Sequence, residues 1–176
     1  MCTRYQLSQE HYRQLLRELG VAAPDDFPTR YNLAPPSQLP AVRPPRGAAA
    51  REVARLRWGL TPAWAKSDEP ANRSVNARAE TLASKPSFRD ALRSRRCVIP
   101  ASGFYEWETT PRGKQPWLFR RCDAQPFGLA GVWESWRAPE GGVIESVAVI
   151  TTTPNELLQR IHDRMPVLLT PAQCDI

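Results

Sequence analysis

Histidine is scarce in this chain: His11 and His162 are the only two among 176 residues. The four cysteines, Cys2, Cys97, Cys122 and Cys174, are scattered, and none forms a C-x-x-C pair. With so few imidazoles to join them, that spacing excludes an ordinary structural zinc site. No apolar run approaches the length of a membrane span. No signal-peptide pattern precedes Cys2, because Met1 is followed at once by Cys2 and Thr3. The expectation is a cytoplasmic protein with reduced thiols, no metal, no cofactor and no membrane partner. There is no internal repeat. The only low-complexity stretch, 47–50, reads as a loop tip.

What the chain does have is proline, positive charge and tryptophan. Hydrophobic residues make up 41% of it, which excludes a disordered composition, and its length suits one domain over 1–176 with a monomer as the default state. Its 18 prolines, many of them between positions 24 and 45, predict short elements joined by rigid turns. The formal net charge is +6, mostly from arginine, whose planar fork suits phosphate. Charge alone is a weak pointer to nucleic acid, since many basic proteins never touch it.

The periodicities give a coarse element map. Residues 8–19 read as an amphipathic helix with Tyr12, Leu15, Leu16 and Leu19 on one face, Ser8 as its cap and Gly20 as its stop. A proline-rich loop follows, with Arg30-Tyr31-Asn32 inside it. Residues 53–58 alternate as a strand with one wet face. Residues 77–93 read as one or two short helices interrupted near Pro86. Strands are predicted at 96–99, 103–108, 117–121, 127–133, 143–151 and 166–169, with a short helix at 154–160. Closely spaced strands with a few flanking helices predict an α+β domain built on an antiparallel sheet or open barrel.

Five places could carry chemistry, each with a plainer alternative. Removal of Met1 would leave Cys2 with a free α-amine and a thiol on adjacent carbons. Such an amine titrates at about pH 8, so part of it is neutral at physiological pH. A neutral amine converts an aldehyde to an imine, and the thiol can then close a five-membered thiazolidine ring. An internal cysteine cannot do this, since its nitrogen is an amide. The alternative is a small residue near a terminus.

Asn76 would cap a helix starting near Ala77, with Arg78 aimed at a phosphate beside the free N–H groups; the alternative is a plain helix start. Glu106 lies in an aromatic run, where burial would raise its pKa toward the range useful for proton transfer. Against this, strict alternation puts Glu106 and Glu108 on one wet face, opposite Tyr105 and Trp107. His162 sits between a helix and a strand, where an acid or base often lies, although a lone histidine is more often structural. Trp64, on a proline turn, could stack on a base, or pack into the core as most tryptophans do.

These pieces occur in one order: M-C-T-R at the start, R-Y-N-L-A-P at 30–35, W-G-L-T-P-A-W at 58–64, N-A-R-A-E-T at 76–81, G-F-Y-E-W at 103–107 and I-H-D-R-M-P at 161–166. The combination resembles the SRAP family, the SOS-response-associated peptidase or abasic-site-processing proteins, over nearly the whole chain. The resemblance implies a β-rich open barrel of mostly antiparallel strands, with short peripheral helices and a cationic groove for single-stranded DNA. It implies that Cys2, exposed by loss of Met1, forms a thiazolidine crosslink to an abasic site. Asn76, Glu106 and His162 would be the catalytic partners. Arg4, Asn32, Arg78, Thr151 and Arg164 would contact the DNA, and Trp64 would wedge between bases. Weak AP-lyase activity through the imine and association with the nucleoid would follow.

Position 3 is Thr where the family usually has Gly, and position 65 is Ala where some members have a second aromatic. The chain ends at Ile176, where members usually continue with a further helix and strands. Two other readings stay open. One is a thiol peptidase using Cys2 and His162; the other is a non-catalytic single-stranded nucleic-acid-binding module.

Overall fold

The computed structural model of the chain describes residues 2–24, 26–44 and 50–174. Helix α1 spans Gln9–Glu18, and the Ser8 hydroxyl caps it by accepting the His11 N–H at 3.1 Å. Tyr12, Leu15 and Leu16 are its buried stripe, and Gly20 ends it at a φ of +67°. The second helix, α2 (Arg89–Ser94), packs on the strands beneath it. The rest is twelve strands and a few single 3-10 turns among the described residues.

Four strands form a small sheet. In spatial order they are β2 (Arg30–Leu33), β1 (Tyr5–Leu7), β7 (Gly103–Thr110) and β8 (Gly113–Phe119). The larger sheet contains β3 (Gln38–Arg43), β4 (Glu52–Trp58), β6 (Arg96–Ala101), β9 (Phe127–Arg137) and β10 (Val143–Thr152). These five run β10-β4-β3-β6-β9, and the pairing of β9 back to β10 closes them into a ring. The barrel expected from the sequence is therefore present, and here its ring is closed. Short strands β5 (Asn76–Arg78), β11 (Met165–Pro166) and β12 (Leu168–Leu169) pair on its margins. Pairings are antiparallel except those of β10 with β4 and β5.

The main core runs from α1 through β1 into the barrel and includes Tyr5, Leu16, Leu56, Trp58 and Ile99. A smaller core of Leu60, Leu82, Phe88 and Val132 lies by α2. Three strands lie in stretches read from the sequence as loop or left unassigned: β1, β2 and β3. In β3, Pro40 sits in a strand that meets β6 only at Val42↔Val98, an open side on which a residue without an N–H is tolerated. The 154–160 segment is only a single 3-10 turn at Leu158–Arg160. Residues 47–49 of the expected loop tip lie outside the described residues.

Candidate active site

Strand β1 carries the chain start into the core. Tyr5 pairs with Phe104 and Gln6 with Gly103, and the Tyr105 N–H donates to the Arg4 carbonyl at 2.9 Å. This ladder runs residues 2–4 alongside Glu106 and Trp107 of β7. Cys2 is fully buried, and its thiol lies 4.0 Å from the Arg4 carbonyl. Burial, reinforced by the Glu106 charge, pushes that thiol up to about 12. It is therefore a thiol, not a thiolate, at neutral pH.

Glu106 is 1% exposed, so the buried reading of this residue prevails over the wet-faced strand. Burial pushes its carboxyl up to about 7, against the pull of the positive charge at the chain's amino terminus. Alternation along β7 does hold, but the face that carries Glu106 is turned inward at that residue.

His162 follows the 3-10 turn at Leu158–Arg160, and its Nε2 lies 3.9 Å from Glu106 Oε2. Its Nδ1 lies 3.0 Å from both the Arg164 N–H and Asp163 Oδ1, which leaves Nε2 as the nitrogen facing Glu106. Burial holds the imidazole below its usual range, and the amino-terminal charge acts the same way, against Asp163. The site thus pairs a carboxyl able to change protonation near pH 7 with a predominantly neutral imidazole.

Asn76 is not a helix cap. It begins β5, whose parallel pairing with Val149, Ile150 and Thr151 of β10 overrides the local helix signal. Both polar atoms of its amide are buried with no hydrogen-bond partner among the described residues. Trp58 fixes the segment before it, its indole N–H donating to the Val75 carbonyl at 2.9 Å while its ring meets Tyr5 edge-on at 5.7 Å.

A cleft of 420 Å³ opens here, lined by Thr3, Arg4, Glu106, Trp107, Lys114 and His162. Arg4 is held at its side, donating to Asn32 Oδ1 at 2.8 Å. Arg78 is exposed on β5, and Trp64 is 62% exposed. Two of the expected DNA contacts are buried. Arg164 is buried, its guanidinium spent on a bidentate pair with Glu80, both contacts at 2.9 Å, and on the Thr151 carbonyl at 2.6 Å. The Thr151 side chain is fully buried beside it. With these hydrogen bonds made internally, the two brace β10.

Sequence reasoning passed over Trp107, Lys114 and Tyr5. Alternation sends Trp107 away from Glu106, so it reads as mere backing, and Lys114 reads as a turn residue. Among the described residues no helix is long and apolar enough to cross a membrane.

With this geometry in hand, the profile of the family described as SOS response associated peptidase (SRAP) matches residues 1–176. The chain belongs to the SRAP family. This SRAP chain is 39% identical over 174 residues to abasic site processing protein YoqW of Bacillus subtilis (strain 168), across 97% of the chain and 76% of the relative. It is 32% identical over 168 residues to abasic site processing protein HMCES of Gallus gallus, across 79% of the chain and half of that longer protein. A crystal structure of a Bacteroides thetaiotaomicron protein superposes with a TM-score of 0.84 at 28% identity, covering 96% of this SRAP chain and 77% of the other.

Proposed function

We propose that this SRAP protein captures abasic sites in single-stranded DNA, through a covalent bond from the chain-terminal aminothiol of Cys2 to the sugar aldehyde. The observation that carries the reading is the position of Cys2. Among four cysteines, it is the second residue of the chain that lies buried close enough to Glu106 to feel its charge, behind a cleft lined by Thr3, Glu106 and His162. The relatives named abasic site processing proteins point the same way.

Loss of Met1 comes first and frees the amine. The neutral Cys2 amine then adds to the C1′ aldehyde of the ring-opened sugar. Loss of water gives the imine. The thiol sulfur adds to the imine carbon and its proton passes to the nitrogen, closing a thiazolidine; aldehyde and aminothiol become ring plus water. Glu106, changing protonation near neutral pH, delivers the proton that lets water leave, recovers one as the imine forms, and relays the thiol's proton to the nitrogen. His162, with Nε2 facing the carboxyl, assists opening of the sugar ring. The unpartnered Asn76 amide supplies a donor and an acceptor to orient the open-chain sugar. Arg4, Asn32 and Arg78 hold backbone phosphates and Trp64 meets bases. Should the imine lose a C2′ proton before the thiol adds, β-elimination of the 3′ phosphate follows, which is the lyase outcome.

The thiol peptidase reading is weaker on physical grounds. An attacking thiolate needs a lowered pKa, and burial drives this thiol the other way. A passive binder needs no buried aminothiol at all.

The test is a single strand with one abasic site, mixed with protein and separated under denaturing conditions. A shifted band should form, vanish in Cys2→Ala and persist in Cys97→Ala. An undiminished band in Cys2→Ala rejects the assignment of the nucleophile.

A further inference from the structure

Tyr5 is a buried phenol that the chemistry above leaves idle. It follows Cys2 and Arg4 on β1, and pairing to Leu33 on one flank and Phe104 on the other fixes its backbone. Its ring is fully buried in the same core as Cys2 and meets Trp58 edge-on at 5.7 Å. The Trp58 indole in turn holds the Val75 carbonyl, one residue before Asn76. Backbone and ring are both pinned.

The hydroxyl is another matter. It is buried and makes no hydrogen bond to any described residue. A buried O–H without an acceptor carries the full cost of leaving water, and phenylalanine would fill the same space without it. Burial holds the phenol well above its usual range, so it stays a neutral O–H donor. The charges felt there are those of Cys2 and Arg55. A guanidinium only donates, which leaves the Cys2 sulfur as the acceptor of the two.

That sulfur is loosely held. Its contact with the Arg4 carbonyl is long, at 4.0 Å, and the thiol must leave it to attack an imine carbon. As the S–C bond forms, the S–H bond breaks and its proton passes through Glu106 to the nitrogen. Negative charge gathers on the sulfur as the proton departs. A neutral donor beside it stabilises that charge while keeping its own proton.

We propose that Tyr5 is a positioning residue for Cys2: its hydroxyl hydrogen-bonds the sulfur once the thiol leaves the Arg4 carbonyl, and so commits the imine to ring closure ahead of β-elimination. This rests on the capture reading and adds what turns a transient imine into a lasting bond.

The experiment uses protein that begins at Cys2, confirmed by mass, and a single strand with one abasic site. Denaturing gels read three yields. Crosslink formed without borohydride is the thiazolidine, crosslink formed with borohydride present includes the reduced imine, and the cleaved strand reports elimination. In the parent the two crosslink yields should match and cleavage should be slight. Tyr5→Phe should keep the borohydride yield within about twofold, while the ratio of cleaved strand to thiazolidine rises roughly tenfold, the effect of losing one hydrogen bond to a charged group. A fluorotyrosine at position 5 keeps the O–H and should restore the parent ratio. The melting temperature of Tyr5→Phe should not fall, since the missing hydroxyl has no partner among the described residues.

A parent-like ratio in folded Tyr5→Phe overturns the assignment and leaves capture standing. An equal fall in both crosslink yields, at an unchanged ratio, marks a merely structural residue and overturns it too. A parent that gives no crosslink with or without borohydride sinks the capture chemistry itself, and the role of Tyr5 with it.

Discussion

At the scale of single residues, the site is governed by what burial does to charge. Glu106 prefers its neutral form in the folded chain, with its carboxyl pushed up to about 7 from 4.5. The contribution of this group to stability is fully present below about pH 4.5 and is lost as pH rises through 7. Glu106→Gln removes that dependence. It should be more stable than the parent by roughly 1–3 kcal/mol at pH 8 and indistinguishable at pH 4 in urea unfolding, while capture falls steeply. Asn76 shows the converse of a structural role. Its amide makes no hydrogen bond to another described residue, so Asn76→Ala should alter stability by under about 1 kcal/mol yet slow capture, read from the denatured band. Cys2, Glu106 and His162 were legible from short motifs because each lies in a distinctive local run. The Arg164–Glu80 pair was not legible, since its partners lie 84 positions apart. No local pattern reports such a distant partner.

At the scale of elements, pairing overrules propensity. Residues 76–78 have a helix-start signature, and β10 turns them into a strand. β2 and β3 hide in a proline-rich stretch because their alternation is short and Pro40 interrupts it. Helix α1, whose stripe and cap are complete within its own residues, was readable to within a residue. The turn after β4 depends on Gly59, at a φ of +126°, where an added Cβ would meet the Ala71 carbonyl oxygen at 2.7 Å. Gly59→Ala should cost about 1–3 kcal/mol in urea unfolding, without altering the spectroscopic signature of the folded state.

At the scale of the whole molecule, the barrel serves as a frame and the small sheet presents the site. Three cations stand around the cleft: Arg4 and Lys114 line it, and Arg78 is exposed on β5. Three phosphate contacts on a single strand give a log–log salt slope of about −2, so a rise from 50 to 200 mM salt should weaken binding roughly twentyfold. Anisotropy titrations on an undamaged strand check this, and a flat response would move the DNA away from this face. The overall class was readable because strand spacing and flanking helices are whole-chain patterns. Closure of the ring was not, since it depends on β9 and β10 meeting along seven residue pairs rather than on either strand alone.

The position of β1, between β2 on one edge and β7 on the other, has a mechanical consequence. A lesion bonded at Cys2 would be moored to the end of a strand gripped along both flanks. A motor protein hauling on that DNA would pull the strand lengthwise, loading its cross-links together instead of peeling them one by one.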